Sequence, residues 1–416
     1  MQASKIEFNM PDYIKEYKDK YKVLVSDKGL NLNNFEDWKH NKLNFIKKNK
    51  FVVEHIESIN NNISQSKLEK LLLPNSYNLI FISGVLYSVD NDNIANKVYI
   101  DSINNYLNDN YFSEDVNSVD NYFEAINNAN FTDGYCIVVK ENISLDKPIN
   151  IIFANNEDDT NKINNLKNYI ILEKNSAAKV LINYLELDSD KDNKYFLNNN
   201  TNILLAENAD LLLYKMQNQS LGAYNVSYFN VNQNKNSNFK FYNFIYGSLF
   251  SKDTIRINLN GEQAFCGLYG IISANDKQYL DVNTRVHHNV KNCSSFENYK
   301  GLADDKSTAV FNGSIVVKEG ASNSDARMSN KNLLLSDNAN IYTKPELKIY
   351  NDDVKCSHGT TIGSLDSSAL FYLQSRGLSY ENARKILVDA FLEEIVNLDR
   401  ELSVEAKDYI LSNLKN

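Results

Sequence analysis

Only four cysteines occur in 416 residues (Cys136, Cys266, Cys293 and Cys356), and they stand far apart. The first residues, MQASKIEFNMPDYIKEYK, carry no apolar stretch of a secretory signal. Together these features predict free thiols in a cytosolic chain rather than a disulfide framework. Long hydrophobic runs are missing as well, and none approaches the roughly 18 apolar residues of a membrane span. Arginine is scarce, with 6 residues against 38 lysines, and the 44 basic residues fall short of the 53 acidic ones, a net charge of −9. That balance argues against a general nucleic-acid or anionic-membrane binder, which needs a basic footprint. Familiar catalytic signatures are absent too. No Gly-Lys dipeptide exists, which excludes a Walker A loop, and no G-x-G-x-x-G, H-E-x-x-H, C-x-x-C or G-x-S-x-G appears.

What is present is enough apolar material for a core, 43% of the residues. Asparagine is abundant at 66 residues, a skew that reads as coding bias and weakens isolated Asn as a turn signal. Periodicity divides the chain. Residues 1–75 carry helix-like patches such as Tyr13, Tyr17, Tyr21 and Val53, Ile56, Ile59. Residues 76–165 mix strand and helix patterns. Residues 166–362 are almost wholly short strands with a single proline, Pro345. Turns with small residues recur there, and the Ala or Ser positions 177, 209, 237, 264, 321 and 339 are separated by 32, 28, 27, 57 and 18 residues. A quasi-period near 28 with one doubled step suggests a β-solenoid. Spacing alone leaves an antiparallel sandwich or barrel open. Residues 363–416 turn helical. Leu370, Phe371 and Leu373 precede a Gly377 stop, and Ser379 caps a helix with Ala383, Ile386, Leu387, Ala390, Phe391, Ile395 and Leu398 at helical spacing. Ser403 can cap a third.

Chemistry-bearing residues are few. Asp188, Asp190 and Asp192 imitate the start of a calcium loop, but Asn193 and Asn199 stand where Gly and Glu are required. Cys356 and His358, two apart on a strand, share one side and offer a thiolate and an imidazole to iron or zinc. Two ligands do not close a site, and a buried thiol beside a hydrogen-bonded histidine is the plainer reading. His287 and His288 face opposite sides of a strand, and Cys293 has no neighbouring ligand in sequence. Asp281 and Arg285 could serve polysaccharide cleavage on a β-solenoid, but almost any surface carries such a pair.

The run SDARMSNKNLLLSDNANIYTKPELKIYNDDVKCSHGTTIGSLDSSALFYLQSRG closely resembles the C-terminal core signature of the SufB/SufD family of iron–sulfur cluster assembly proteins, in its SufD branch. The likeness extends upstream through GLYGII and NTRVHHNVKNCSSFENYKGLADDKSTAVFNGSIVV, and more loosely through FEAINNANFTDGYCIVVKENISLDKPINIIF and FEDWKHNKL. It implies a mainly β fold, a right-handed parallel β-helix between N-terminal and C-terminal helical regions. The function it implies is that of a non-ATPase scaffold subunit. Its implied partners are a SufB-like paralogue as heterodimer and a SufC-like ABC ATPase docked on the C-terminal helices. Leu370, Phe371, Ile386, Leu387, Ala390 and Phe391 are the expected docking residues. His358, with Cys356, falls on the motif tied to a transient iron–sulfur cluster at the SufB contact. No permanently bound cofactor is implied; flavin and a homodimer of the isolated chain stay open. Val286-His287-His288 and Asn292-Cys293 depart from the relatives' V-D-H and His-Cys steps, which weakens any ligand role there. The alternative, a polysaccharide-active β-helix lyase or hydrolase, calls for an export signal and clustered carboxylates.

Overall fold

The structure is a computed structural model that describes residues 11–28, 49, 51–52, 69, 72–89, 96–109, 121–155, 161–187 and 194–397. The EF-hand-like aspartates, the Val53–Ile59 patch, Leu398 and Ser403 lie outside those residues. Strands dominate and stack into a parallel β-solenoid of about seven turns. In chain order they are β1 (Tyr77–Ile82), β2 (Val85–Val89), β3 (Val98–Ser102), β4 (Tyr135–Val139), β5 (Ile149–Asn155), β6 (Ile163–Leu172), β7 (Ala177–Glu186), β8 (Tyr195–Leu205), β9 (Asp210–Asn218) and β10 (Ala223–Gln233). The series continues with β11 (Asn238–Ile245), β12 (Phe250–Leu259), β13 (Phe265–Ala274), β14 (Tyr279–His288), β15 (Ser294–Ala303), β16 (Thr308–Val317), β17 (Ser324–Leu334), β18 (Asn340–Ile349) and β19 (Val354–Ser364). Helices α1 (Asp12–Lys28), α2 (Ile103–Asp109) and α3 (Tyr122–Asn130) accompany the first turns, and α4 (Ser367–Ser375) and α5 (Tyr380–Val396) follow the last. Among the described residues no helix is long and apolar enough to cross a membrane.

Each turn gives one strand to each of two sheets. One runs β19-β17-β15-β13-β11-β9-β7-β5-β1-β2, the other β18-β16-β14-β12-β10-β8-β6-β4-β3. From β5 onward every pairing is parallel, which removes the sandwich and barrel alternatives. Only the ends of the series, β1–β2 and β3–β4, are antiparallel. Parallel pairing already joins β1 to β5 and β4 to β6, inside the segment whose sequence mixes helix and strand patterns.

Alternation on each strand follows from the two-residue period. In β7, Ala178, Val180, Ile182 and Tyr184 are buried inward while Lys179 is exposed. From β4 onward rungs are 26 (Tyr224 to Phe250) to 33 (Ala177 to Asp210) residues apart, and the turns absorb the difference. One turn stacks Ser176, Ala209, Ser237, Ala264, Cys293 and Ser324, all buried, and the ladder runs on through them. The column passes through Ser176 rather than Ala177 and through Ser324 rather than Ala321, and the doubled step in the sequence spans Cys293, which fills the rung at which a small Ala or Ser is otherwise found. Ala339 belongs to the opposite turn, before β18.

Before each of those six residues the backbone enters the left-handed region, at Asn175, Asn208, Asn236, Gln263, Asn292 and Asn323. Asparagine tolerates that region best among residues with a Cβ. Its amides then bond along the column, Asn175 to Asn142 at 2.8 Å, Asn208 to Asn175 at 2.8 Å and Asn236 to Asn208 at 3.1 Å. Here asparagine is the turn signal after all, supplying 8 of the 13 non-glycine positive-φ residues among those described.

The interior is apolar over most of its length but holds polar groups inside. Lys215 and Asp253 pair at 2.5 Å with neither side chain exposed. Gln217 accepts from the same ammonium at 2.9 Å, and Asn243 donates to the carboxylate at 2.8 Å. Removing one partner of such a pair costs about 3–5 kcal/mol because the other charge stays buried. Gly270 leaves the gap into which the ring of Tyr299 lies, since a Cβ there would meet Tyr299 at 2.1 Å. Glu297, fully buried, accepts from Thr284 at 2.5 Å. Burial pushes its carboxyl up to about 7, and the threonine bond opposes the shift only in part.

A folded-state pKa above the unfolded value stabilises the fold below about pH 4.5, and that contribution is lost as pH rises through about 7. Melting temperatures of wild type and Glu297→Gln, measured from pH 4.5 to 7.5, should converge or cross as pH rises. Parallel curves would contradict a neutral buried carboxyl.

Candidate functional site

Both sheets end at the same place. β18 bonds only to β16, and β19 only to β17, so each presents one unpaired edge. Nothing described stacks on them, and exposure climbs accordingly: β17 alternates buried and open positions, whereas β19 is open from Ser357 to Ser364. The last rung therefore displays outward what earlier rungs bury. Ile349, Tyr342 and Ile362 are 42%, 43% and 46% exposed there.

Cys356 and His358 lie on β19, in register with Ala326 and Met328 of β17. Ala326 and Met328 belong to the solenoid core, so both site residues take core-facing positions at the open end. Cys356 is half-buried and packs on that core; His358 is exposed. Burial, then the Asp325 carboxylate, raises the Cys356 thiol above its usual range, while a backbone bond from Ala326 opposes the shift. A thiol held protonated ligates metal only when the metal itself displaces the proton. Among the described residues no group of three or more His, Cys, Asp or Glu side chains can hold a metal. Cys356 and His358 are thus at most half of a coordination shell.

The other candidates point inward or are already engaged. His288 is fully buried with Nε2 2.9 Å from Ser295 Oγ, and desolvation brings it down to about 4, so it is neutral. Cys293 donates to the Gly261 carbonyl at 3.2 Å within the stacked turn. Asp281 is buried, accepting from Lys252 at 2.6 Å and Asn283 at 2.7 Å, which leaves no open carboxylate there to attack a sugar. All four cysteines are free, with Cys136, Cys266 and Cys293 buried.

The C-terminal helices form where the sequence places them. Asp366 caps α4, Gly377 stops it at φ +92°, and Ser379 accepts from Asn382 N at 3.2 Å to start α5. The phase of α5 differs from the stripe read in the sequence. Val388, Leu392, Ile395 and Val396 are buried against Leu212, Tyr242, Phe244 and Leu302 on the outer face of the odd-numbered strands. Ile386 and Ala390 lie off that face and are exposed, Leu387 is half-buried, and Phe391 is half-buried beneath Lys300 at 4.4 Å. In α4, Phe371 is 73% exposed and Leu370 half-buried. Sequence reasoning missed what fastens α5: Lys300 to Glu394 at 2.6 Å, Lys331 to Glu394 at 3.4 Å, and Arg384 to Asp304. The only signal was the rung spacing that sets Lys300 beside Lys331.

The family described as "SUF system FeS cluster assembly, SufBD core domain" matches residues 153–391, more than half of the chain. The iron-sulfur cluster assembly protein SufD of Escherichia coli is 27% identical over 381 residues, 90% of this chain and 86% of that one. A SufBD family protein of Synechocystis is 29% identical over 280 residues, 66% of this chain and 62% of its own length. SufD of Bacillus subtilis is 26% identical over 299 residues, 71% and 66% of the two chains.

Brief alkylation of the native protein followed by peptide mass spectrometry should label Cys356 and spare Cys136, Cys266 and Cys293. Labelling should quicken as pH is raised toward 9, given the raised thiol. Equal labelling of all four would mean the core is open.

Proposed function

The chain belongs to the SufBD family of iron–sulfur cluster assembly proteins, and we propose that within it the chain is a cytoplasmic, non-catalytic scaffold of the SufD type. In this reading the open rung at β18 and β19 pairs with a SufB-like paralogue. A pair of edges with core-facing apolar residues beside them suits a partner that continues the stacking. The exposed apolar face of α4 and α5, carried by Phe371, Tyr372, Tyr380 and Ile386, takes a SufC-like ABC ATPase. Iron and sulfide are cargo: Cys356 and His358 supply two ligands at the rim, and the paralogue or sulfide supplies the rest.

The single observation that carries the reading is the open last rung. Cys356 and His358 share it, at core-facing positions that nothing among the described residues covers.

Two variants test it in the co-expressed complex. Phe371→Asp should abolish co-purification of the ATPase while the melting temperature holds, since surface changes cost within about 0.5 kcal/mol. Retained ATPase would overturn the docking assignment. His358→Ala should keep the complex intact and lower its iron and acid-labile sulfide content several-fold; normal loading would make the histidine structural.

A further inference from the structure

The turns that lead from odd- to even-numbered strands form a second column, and a cleft of about 530 Å3 runs along it. That volume is in the range of ligand sites. Leu221 and Leu249, both half-buried, line its inner end; Asp276 with Lys277, then Asp305 with Lys306, line the next two rungs. The turns stack closely, since Lys306 N donates to the Asp276 carbonyl at 2.9 Å and Asp276 N to the Asp305 carboxylate at 3.2 Å. Asn338, in the turn before β18, marks the outer end, so the cleft opens at the rung whose edges are unpaired. Four steps of about 4.8 Å make it about 19 Å long, the span of about six residues of extended chain.

Backbone conformation does not account for the charge in these turns. Asp276 and Asp305 occupy the left-handed region, at φ +49° and +51°. Asparagine meets that need in the other column, and its side-chain oxygen accepts from an amide as a carboxylate does. Aspartate adds only charge, and stacking sets two like charges one rung apart. Lys277 and Lys306 repeat the arrangement with the opposite sign. All four are exposed, and among the described residues none has an ion-pair partner. A small zwitterion would answer the charges and leave the leucines uncovered; an apolar molecule would do the reverse. An extended peptide answers both, because its successive side chains point to opposite sides and a neighbouring basic–acidic pair can reach both columns.

We propose that the cleft receives an extended arm of the chain that stacks on the open rung. The arm carries an apolar side chain for Leu221 and Leu249 and, about three residues nearer its own body, a basic–acidic pair for the two charged rungs. It enters past Asn338, so the charged pair is met first and the apolar anchor lies deepest. The proposal rests on reading the last rung as the paralogue's seat, and it adds a second contact outside the rung itself. The exposed charges fix the arm's register more than they add affinity.

Titration of the purified chain with the purified paralogue tests it, using Asp276→Asn and Asp305→Asn combined. That variant keeps the turns, so its melting temperature should match wild type. It should bind the paralogue roughly fivefold or more weakly at low salt, and the deficit should shrink at about 1 M salt, where exposed charges are screened. Equal affinity at low salt would overturn the proposal. In the co-expressed complex, Leu221→p-benzoylphenylalanine should photo-crosslink to one paralogue segment with the stated spacing of apolar and charged residues. Crosslinks to the ATPase, to this chain itself or to nothing would overturn it too. A wild-type chain that fails to bind the paralogue removes the reading of the last rung and the arm with it. Binding that persists with unchanged affinity in the variant removes the arm alone.

Discussion

Parallel stacking lets each rung be satisfied only by the rungs on either side of it. Inward side chains, ladder amides and turn asparagines all find their partners about 30 residues away in sequence and one strand away in space. The arrangement is quasi-one-dimensional, so stability accumulates by nearest-neighbour interfaces. It also means that whatever stands at the last rung is left half-satisfied. Among the described residues the rim carrying Cys356 and His358 is uncovered for that reason, and the same residue types at inner rungs would be core.

How much of this was legible in the sequence depended on which neighbour supplied the signal. The strand pattern and the period near 28 were visible because small residues repeat in the turn. The doubled step was not, since Cys293 fills the same buried position with a different side chain. Asparagine was discounted for its abundance, although a left-handed backbone repeated at every rung gives that residue a specific use at Asn142, Asn175, Asn208 and Asn236. For α5 the helix and its cap were plain, but its phase was not. Two apolar stripes overlap on that helix, and only the sheet decides that Val388 and Leu392 turn inward while Ile386 stays out. The polar interior escaped altogether. Lys215 and Asp253 are 38 residues apart and become partners only through the stacking.

That interior bears on how the rim is presented. A solenoid filled only with aliphatic side chains could slip by two residues along a strand and still bury apolar groups. Lys215 with Asp253, Tyr299 in the Gly270 notch and Glu297 on Thr284 each fit a single register. Buried ion pairs add little net stability, but a misplaced one is costly, which suits them to fixing alignment. Alignment carried rung by rung from β9 to β17 sets Met328 beneath His358 and Ala326 beneath Cys356.

The two termini of the strand series are unlike. At one, β2 and β3 run antiparallel to their neighbours and are five residues each; at the other, β18 and β19 run parallel for ten and eleven. An object with one receptive end and one blunted end obeys a counting rule. Two objects that can meet only receptive end to receptive end use up their matching surfaces and stop. A molecule receptive at both ends would instead polymerise into a fibre. The reversed direction of two short strands makes the two ends unlike, so that one end does not continue the parallel register that the other presents.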